Sequence, residues 1–82
     1  DPELTLKNAK DTDLTSQLMC ADIEIASGNN QAAFDRLLSA IKRFSGDDKD
    51  KAKAHLIQLF NLVDPSDPRL VKARSELASL LF

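Results

Sequence analysis

One cysteine and one histidine are the side chains in this sequence best suited to nucleophilic chemistry. Cys20 could supply a thiolate and His55 a base, but a catalytic site also needs a group that orients the base. Cys20 adjoins Ala21 on the apolar side of a predicted helix, so we interpret it as a small buried residue, with a reactive thiol as the alternative. His55 is interpreted as a partly exposed packing residue. One cysteine and one histidine do not complete a zinc site.

The acidic residues do not form a recognisable acid/base pair or calcium motif. Asp22 and Glu24 are two positions apart in a predicted helix, so their side chains project from different sides. The group Asp47, Asp48 and Asp50 lacks the acidic spacing and closing glutamate of an EF-hand loop. We therefore predict a non-enzyme without a metal or cofactor.

The charge balance argues against a nucleic-acid partner. Eleven basic residues are offset by 13 acidic ones, which gives a formal net charge of −2, whereas phosphate binding needs a basic surface. Lys49, Lys51 and Lys53 alternate with aspartates and indicate a solvated helix face. No apolar run is long enough for a transmembrane helix, and no signal peptide is recognisable. We expect protein partners, not nucleic acid or membrane.

The stretch from Leu14 to Phe44 predicts two antiparallel helices joined at Gly28. Gly28 suits a left-handed helix stop, and an asparagine after it suits the cap of the next helix. Small and apolar residues recur at steps of three and four on both sides, as on one face of an α-helix. These residues are Leu14, Leu18, Ala21 and Ile25, then Ala33, Leu37, Ala40, Ile41 and Phe44.

Two more helices are predicted after Ser45-Gly46-Asp47. Asp67 followed by Pro68 is a start signal for the last one, a capping carboxylate and then proline at the first helical position. Each helix has a stripe of predicted core residues: Ala52, Leu56, Leu59, Phe60 and Val63 in the third, and Leu70, Ala73, Leu77 and Leu80 in the last.

The predicted fold class is all-α, a four-helix antiparallel array. Residues 11–82 are predicted to form a single helical domain, with a hairpin over 11–45 and a helix pair over 46–82. Residues 1–10 carry few apolar side chains, so they are interpreted as a linker or the remnant of a preceding helix. Whether the array closes as a bundle or stacks as a solenoid depends on the crossing angles.

The first hairpin resembles a tetratricopeptide repeat, a helix pair of about 34 residues. That repeat has a small residue in its first helix, glycine at the turn, and two small residues in its second helix. Gln17 stands where the repeat usually has tryptophan, and Ser45 stands where it usually has proline. The matching residues, interpreted as structural together with Asp67 and Pro68, are Ala21, Gly28, Ala33 and Ala40.

Three stretches of the second half carry a more specific resemblance: residues 53–62, Ser66-Asp67-Pro68, and residues 72–82. They are similar to the C-terminal ending of the chaperedoxins, bacterial thioredoxin-like co-chaperones. In that family a basic stretch precedes Leu-Ala-Ser-Leu-Leu and an aromatic residue. The thioredoxin-like domain of the family is not part of this sequence, and Cys20 does not match its redox motif.

The resemblance implies a cytoplasmic bacterial protein that holds unfolded clients and passes them to chaperones, notably the chaperonin. It also implies a thioredoxin-like domain before these helices in the full-length chain, and the present sequence would be a non-catalytic interaction module. Two alternatives stay open. One is a generic tetratricopeptide adaptor or dimerisation domain, and the other is a small thiol-dependent enzyme using Cys20.

The last predicted helix carries the candidate partner-binding residues. Opposite its core stripe lies a second apolar strip, which could dock in a groove of a partner or pack within the full-length protein. Basic residues beside the strip could steer the helix towards an acidic partner. The partner-binding candidates are Arg74, Leu77, Leu81 and Phe82.

Overall fold

The computed structural model describes residues 1–81, which fold into five α-helices without a strand. The helices are α1 (Pro2–Asn8), α2 (Leu14–Ala26), α3 (Asn30–Arg43), α4 (Gly46–Phe60) and α5 (Pro68–Leu80). The predicted all-α class is confirmed, but the count of four helices is wrong. Phe82, one of the partner-binding candidates, lies outside the described residues.

The additional helix, α1, lies in the segment interpreted as a linker or a helix remnant. The Asp1 side chain accepts a hydrogen bond from the Glu3 backbone N–H at 3.0 Å, and Pro2 follows it at the first helical position. This pairing satisfies a backbone donor that the helix itself leaves free. Leu6 is partly buried and α1 packs on α2, so a sparse apolar pattern is enough for this helix.

Gly28 forms the turn of the α2–α3 hairpin. Its φ of 82° is the left-handed conformation that favours glycine. The turn also satisfies free carbonyls at the end of α2: the backbone N–H of Asn29 donates to Glu24 at 2.8 Å, and that of Gly28 to Ile25 at 3.0 Å.

The central helix is α3, which packs against α2, α4 and α5. It is apolar on two sides, so it can be covered by several neighbours at once. Its buried residues are Ala33, Phe34, Leu37, Leu38, Ala40 and Ile41. The edge-to-face pair of Phe34 and Phe60, with ring centroids 5.3 Å apart, joins α3 to α4.

The last helix, α5, packs mainly on the central helix α3. The wide apolar surface of α3 provides a large area to cover, and Val63, in the turn after α4, also belongs to the core. The second half is therefore two helices that share α3, and the four-helix antiparallel description is only approximate.

Candidate functional site

Cys20 is fully buried, as predicted. Its Sγ lies 3.7 Å from the Thr5 carbonyl oxygen of α1, and its solvent exposure is 0%. Burial raises the pKa of the Cys20 thiol, while the nearby Arg36 lowers it in part. A thiol with a raised pKa is protonated at neutral pH, so Cys20 lacks the thiolate that a nucleophile needs.

His55 contacts Asp22 and not Cys20. Its Nε2 lies 2.7 Å from the Asp22 Oδ1, which links α4 to α2 at the protein surface. Cys20 instead faces α1, so the hydrogen bonds of the described residues do not join the thiol to the imidazole. Residues 1–81 also contain no group of three or more histidine, cysteine, aspartate or glutamate side chains that could hold a metal ion.

A buried polar network between α2 and α3 was missed by the sequence analysis. The Arg36 guanidinium donates from Nε to the Glu24 Oε1 at 2.7 Å and from its second terminal nitrogen to Oε2 at 3.3 Å. Its remaining terminal nitrogen donates to the Gln17 Oε1 at 2.9 Å. Gln17 in turn donates from Nε2 to the Lys10 carbonyl at 3.1 Å.

Because of this network, the buried face of α2 differs from the predicted one. Leu14, Leu18 and Ile25 pack against the core but are only partly buried, whereas the buried residues are Gln17, Cys20, Ala21 and Glu24. The signal that could have revealed it is the seven-residue spacing of Gln17 and Glu24, which places both on one face around Ala21. Gln17 stands at the position where the repeat usually has tryptophan, and it makes hydrogen bonds there.

The predicted structural alanines lie in the core. Ala21, Ala33 and Ala40 are each fully buried, the first in α2 and the others in α3. Small side chains allow the two helix backbones to approach closely. The polar contacts between the two helices are made by Arg36.

The cap of α5 has the predicted geometry. Asp67 accepts hydrogen bonds from the Arg69 backbone N–H at 2.9 Å and from the Arg69 Nε at 3.1 Å, and Pro68 follows at the first helical position. These hydrogen bonds, the one from the Arg69 side chain first, hold the pKa of Asp67 below its usual value. The cap fixes the direction in which α5 leaves the connector.

The outer face of α5 carries an exposed apolar strip, which we define as Val71, Ala78 and Leu81. Val71 and Leu81 are 57% and 51% exposed. Lys72 and Arg74 lie on opposite sides of the line from Val71 to Ala78, because successive residues turn around the helix in a 3.6-residue period. Arg74 is held over the Phe60 ring, 5.8 Å from its centroid.

Leu77 is a correction to the predicted partner-binding set. It is only 7% exposed and belongs to the core cluster, because it projects from the face of α5 that packs on α3. Arg74 and Leu81 are exposed and could reach a partner. The structure therefore brings two of the four candidates to one surface, buries the third, and does not describe Phe82.

The fold and these surfaces define a helical scaffold of the kind that binds other proteins. Residues 5–82 match the family model for the tetratricopeptide repeat, so the chain belongs to that family. Domains of this family are in general non-catalytic protein-interaction modules. Within residues 1–81, no helix is both long and apolar enough to cross a membrane.

The curated relatives are bacterial proteins whose roles are not described in their names. They include an uncharacterized protein of Mycobacterium bovis and uncharacterized proteins of two Mycobacterium tuberculosis strains, each 36% identical over 70 residues. The match covers 85% of this chain and 23% of each relative, so the chain spans about a quarter of their length. No solved structure matches the chain.

Proposed function

We propose that this chain is the interaction module of a thioredoxin-like co-chaperone, which holds unfolded clients and passes them to a chaperonin. The docking surface would be the outer face of α5. The observation that carries the proposal is the exposed strip there: Val71 of α5 and Leu81, the residue that caps its end, are more than half exposed, whereas Leu70, Ala73 and Leu77 on the other face are buried. Exposed apolar surface of this kind commonly marks a binding site.

The charges beside the strip suggest what kind of groove it fits. Lys72 lies to one side of the strip and Arg74 lies between Ala78 and Leu81 on the same face, and neither has a carboxylate within ion-pair distance among residues 1–81. An amphipathic helix of this kind suits an apolar groove with an acidic rim. The two basic side chains would speed association and fix the orientation of the helix more than they would add affinity.

The wider context of the proposal rests on the resemblance of the second half to chaperedoxins. In such a protein a thioredoxin-like domain would precede residues 11–82 in the cytoplasm. The much greater length of the mycobacterial relatives is compatible with additional domains. The hairpin over 11–45 and the pair over 46–82 would then act as one unit.

The test is binding of the purified chain and its variants to immobilised chaperonin, measured by biolayer interferometry. Leu81→Asp places a charge in the strip, and we expect it to weaken binding about tenfold or more, as for a central interface anchor. Ile57→Asp is the matched control, because Ile57 is also 51% exposed but lies on α4. Circular dichroism must show that both variants are folded.

Point variants test the strip more cleanly than removal of residues 79–82, because Leu80 packs against the core and its loss would disturb the fold. Equal binding by Leu81→Asp and the wild type would reject α5 as the docking surface. Absence of any binding by the wild type would reject the chaperonin as the partner.

The alternative is a generic tetratricopeptide adaptor or a dimerisation domain. Family membership favours it equally, because tetratricopeptide domains as a class bind proteins. Sedimentation velocity over a range of concentrations distinguishes a dimer from a monomer. A dimer that Leu81→Asp dissociates would assign the strip to self-association.

A further inference from the structure

The most weakly packed helix in the described residues is α1. None of its seven residues is buried, and the helix it packs against is α2. Thr5 and Leu6 are partly buried, whereas Leu4 is 54% exposed. An isolated helix shorter than about 12 residues is marginal in water, so among residues 1–81 α1 depends on its contacts with α2.

The contact between α1 and α2 is incomplete. A surface cavity of about 270 Å³ lies between the two helices, lined by Leu4, Thr5, Asn8 and Met19 among others. Cys20 lies under α1 and is completely buried. Its Sγ approaches the carbonyl oxygen of Thr5, a residue of α1, at 3.7 Å. α1 is therefore one of the elements that shield this thiol from solvent.

The chain after α1 is fixed to the body of the protein. The Lys10 carbonyl accepts a hydrogen bond from the Gln17 Nε2 at 3.1 Å, and the Asp11 carbonyl accepts one from Arg43 at 3.1 Å. Ala9, between α1 and this anchored segment, has an extended backbone with φ −65° and ψ 131°. Motion of α1 about Ala9 would leave both anchoring hydrogen bonds intact.

We propose that α1 is a displaceable cover that swings away from α2 about Ala9 while α2 to α5 stay folded. Opening exposes the Cys20 thiol and the apolar side chains between the two helices. This device is separate from the docking strip on α5.

The experiment is the reaction of the whole chain with dithiobis(nitrobenzoate), which releases a coloured thiolate as Cys20 forms a mixed disulfide. Cys20 is the one cysteine of the sequence, so the colour reports a single site. Opening of a short helix exposes little surface, so the labelling rate at low urea should depend weakly on urea. Near the unfolding transition it should rise with the steeper dependence of global unfolding.

Three variants separate local opening from global unfolding. Leu6→Ala removes the partly buried leucine of α1 and should raise the low-urea rate roughly fivefold to tenfold. Leu62→Ala is the matched control at a residue that is 70% exposed, and it should not change the rate. Leu70→Ala, in the core face of α5, should lower the urea midpoint but leave the low-urea rate unchanged.

Three results would overturn the proposal. The first is a labelling rate that follows global unfolding at every urea concentration. The second is a rate for Leu6→Ala equal to that of the wild type. The third is labelling of the native protein as fast as a free thiol, which would mean that α1 does not cover Cys20.

Discussion

At the scale of single residues, Arg36 is the side chain that organises the polar part of the α2–α3 interface. It pairs with Glu24 and Gln17, both of which are buried. The hydrogen bond that the Arg36 guanidinium donates to the Glu24 carboxylate raises the pKa of Arg36 above its ordinary value, so the guanidinium stays charged. Among residues 1–81, all buried side-chain nitrogen and oxygen atoms have hydrogen-bond partners.

Replacement of Arg36 should therefore be costly. We expect Arg36→Ala to lower the free energy of unfolding by about 2–3 kcal/mol, because it leaves the Glu24 carboxylate buried without its partner. Urea unfolding measures this loss. The control is Arg43→Ala, which removes an exposed ion pair with a 3.8 Å separation and an exposed hydrogen bond to the Asp11 carbonyl, and it should cost about 1 kcal/mol or less. Equal losses in the two variants would contradict this account of the network.

At the scale of elements, the ends of helices are set by a few residues with special backbone or capping roles. Gly28 ends the α2–α3 hairpin turn in a left-handed conformation, and Asp67 caps α5. Both roles depend on interactions within a few residues of the chain. Both could therefore be predicted from the sequence.

Gly28→Val should destabilise the hairpin through its backbone and not through a steric clash. A side chain at this position would meet no atom within 4 Å, but the φ of 82° is strained for a β-branched residue. We expect a loss of about 1–2 kcal/mol in the free energy of unfolding. Gly28→Asn should lose less, since asparagine tolerates this conformation better. An unchanged thermal midpoint for Gly28→Val would contradict the prediction.

The cap of α5 should make stability sensitive to acid. The folded-state pKa of Asp67 is lowered by its hydrogen bonds to Arg69, so the stabilisation is fully present above the unfolded-state pKa, about 3.9. It is lost as the pH falls through the lower folded-state pKa. Asp67→Asn keeps a capping side chain but removes this titration. Its thermal midpoint should therefore fall less than that of the wild type between about pH 5 and pH 2. If the thermal midpoints of the two proteins fall in parallel as the pH is lowered, the Asp67 cap is not the cause of the acid sensitivity.

At the scale of the whole molecule, the fold depends on α3. The other long helices all use it as a packing partner, and the molecule is flat, with extents of 31 × 29 × 14 Å. A core with one central helix should unfold cooperatively, because loss of α3 removes the buried face of each neighbour.

Leu37→Ala tests this central role. Leu37 is fully buried in α3, so its truncation should cost about 2–5 kcal/mol through lost burial and the cavity that remains. Leu4→Ala, at a residue 54% exposed on α1, should cost far less. Thermal melts followed by circular dichroism would show both effects, and a small loss for Leu37→Ala would contradict the central position of α3.

The sequence by itself determined the features that depend on local order. The helical class, the turn at Gly28, the Asp67–Pro68 start of α5 and the buried stripes of α3 and α4 follow from periodicity and capping. The short range of these interactions is the reason. Membership of the tetratricopeptide family was also visible in the spacing of Ala21, Gly28, Ala33 and Ala40, and the family match confirms it.

Only the tertiary structure decided the features that depend on a partner in another element. The inner face of α2 is set by Arg36, which lies 12 residues from Glu24 and 19 from Gln17 along the chain. The same is true of α1, which packs on α2, and of α5, which packs mainly on α3. Leu77 and Leu81 are both leucines of one amphipathic helix. Their different exposures arise because α3 covers one side of α5 and leaves the other open.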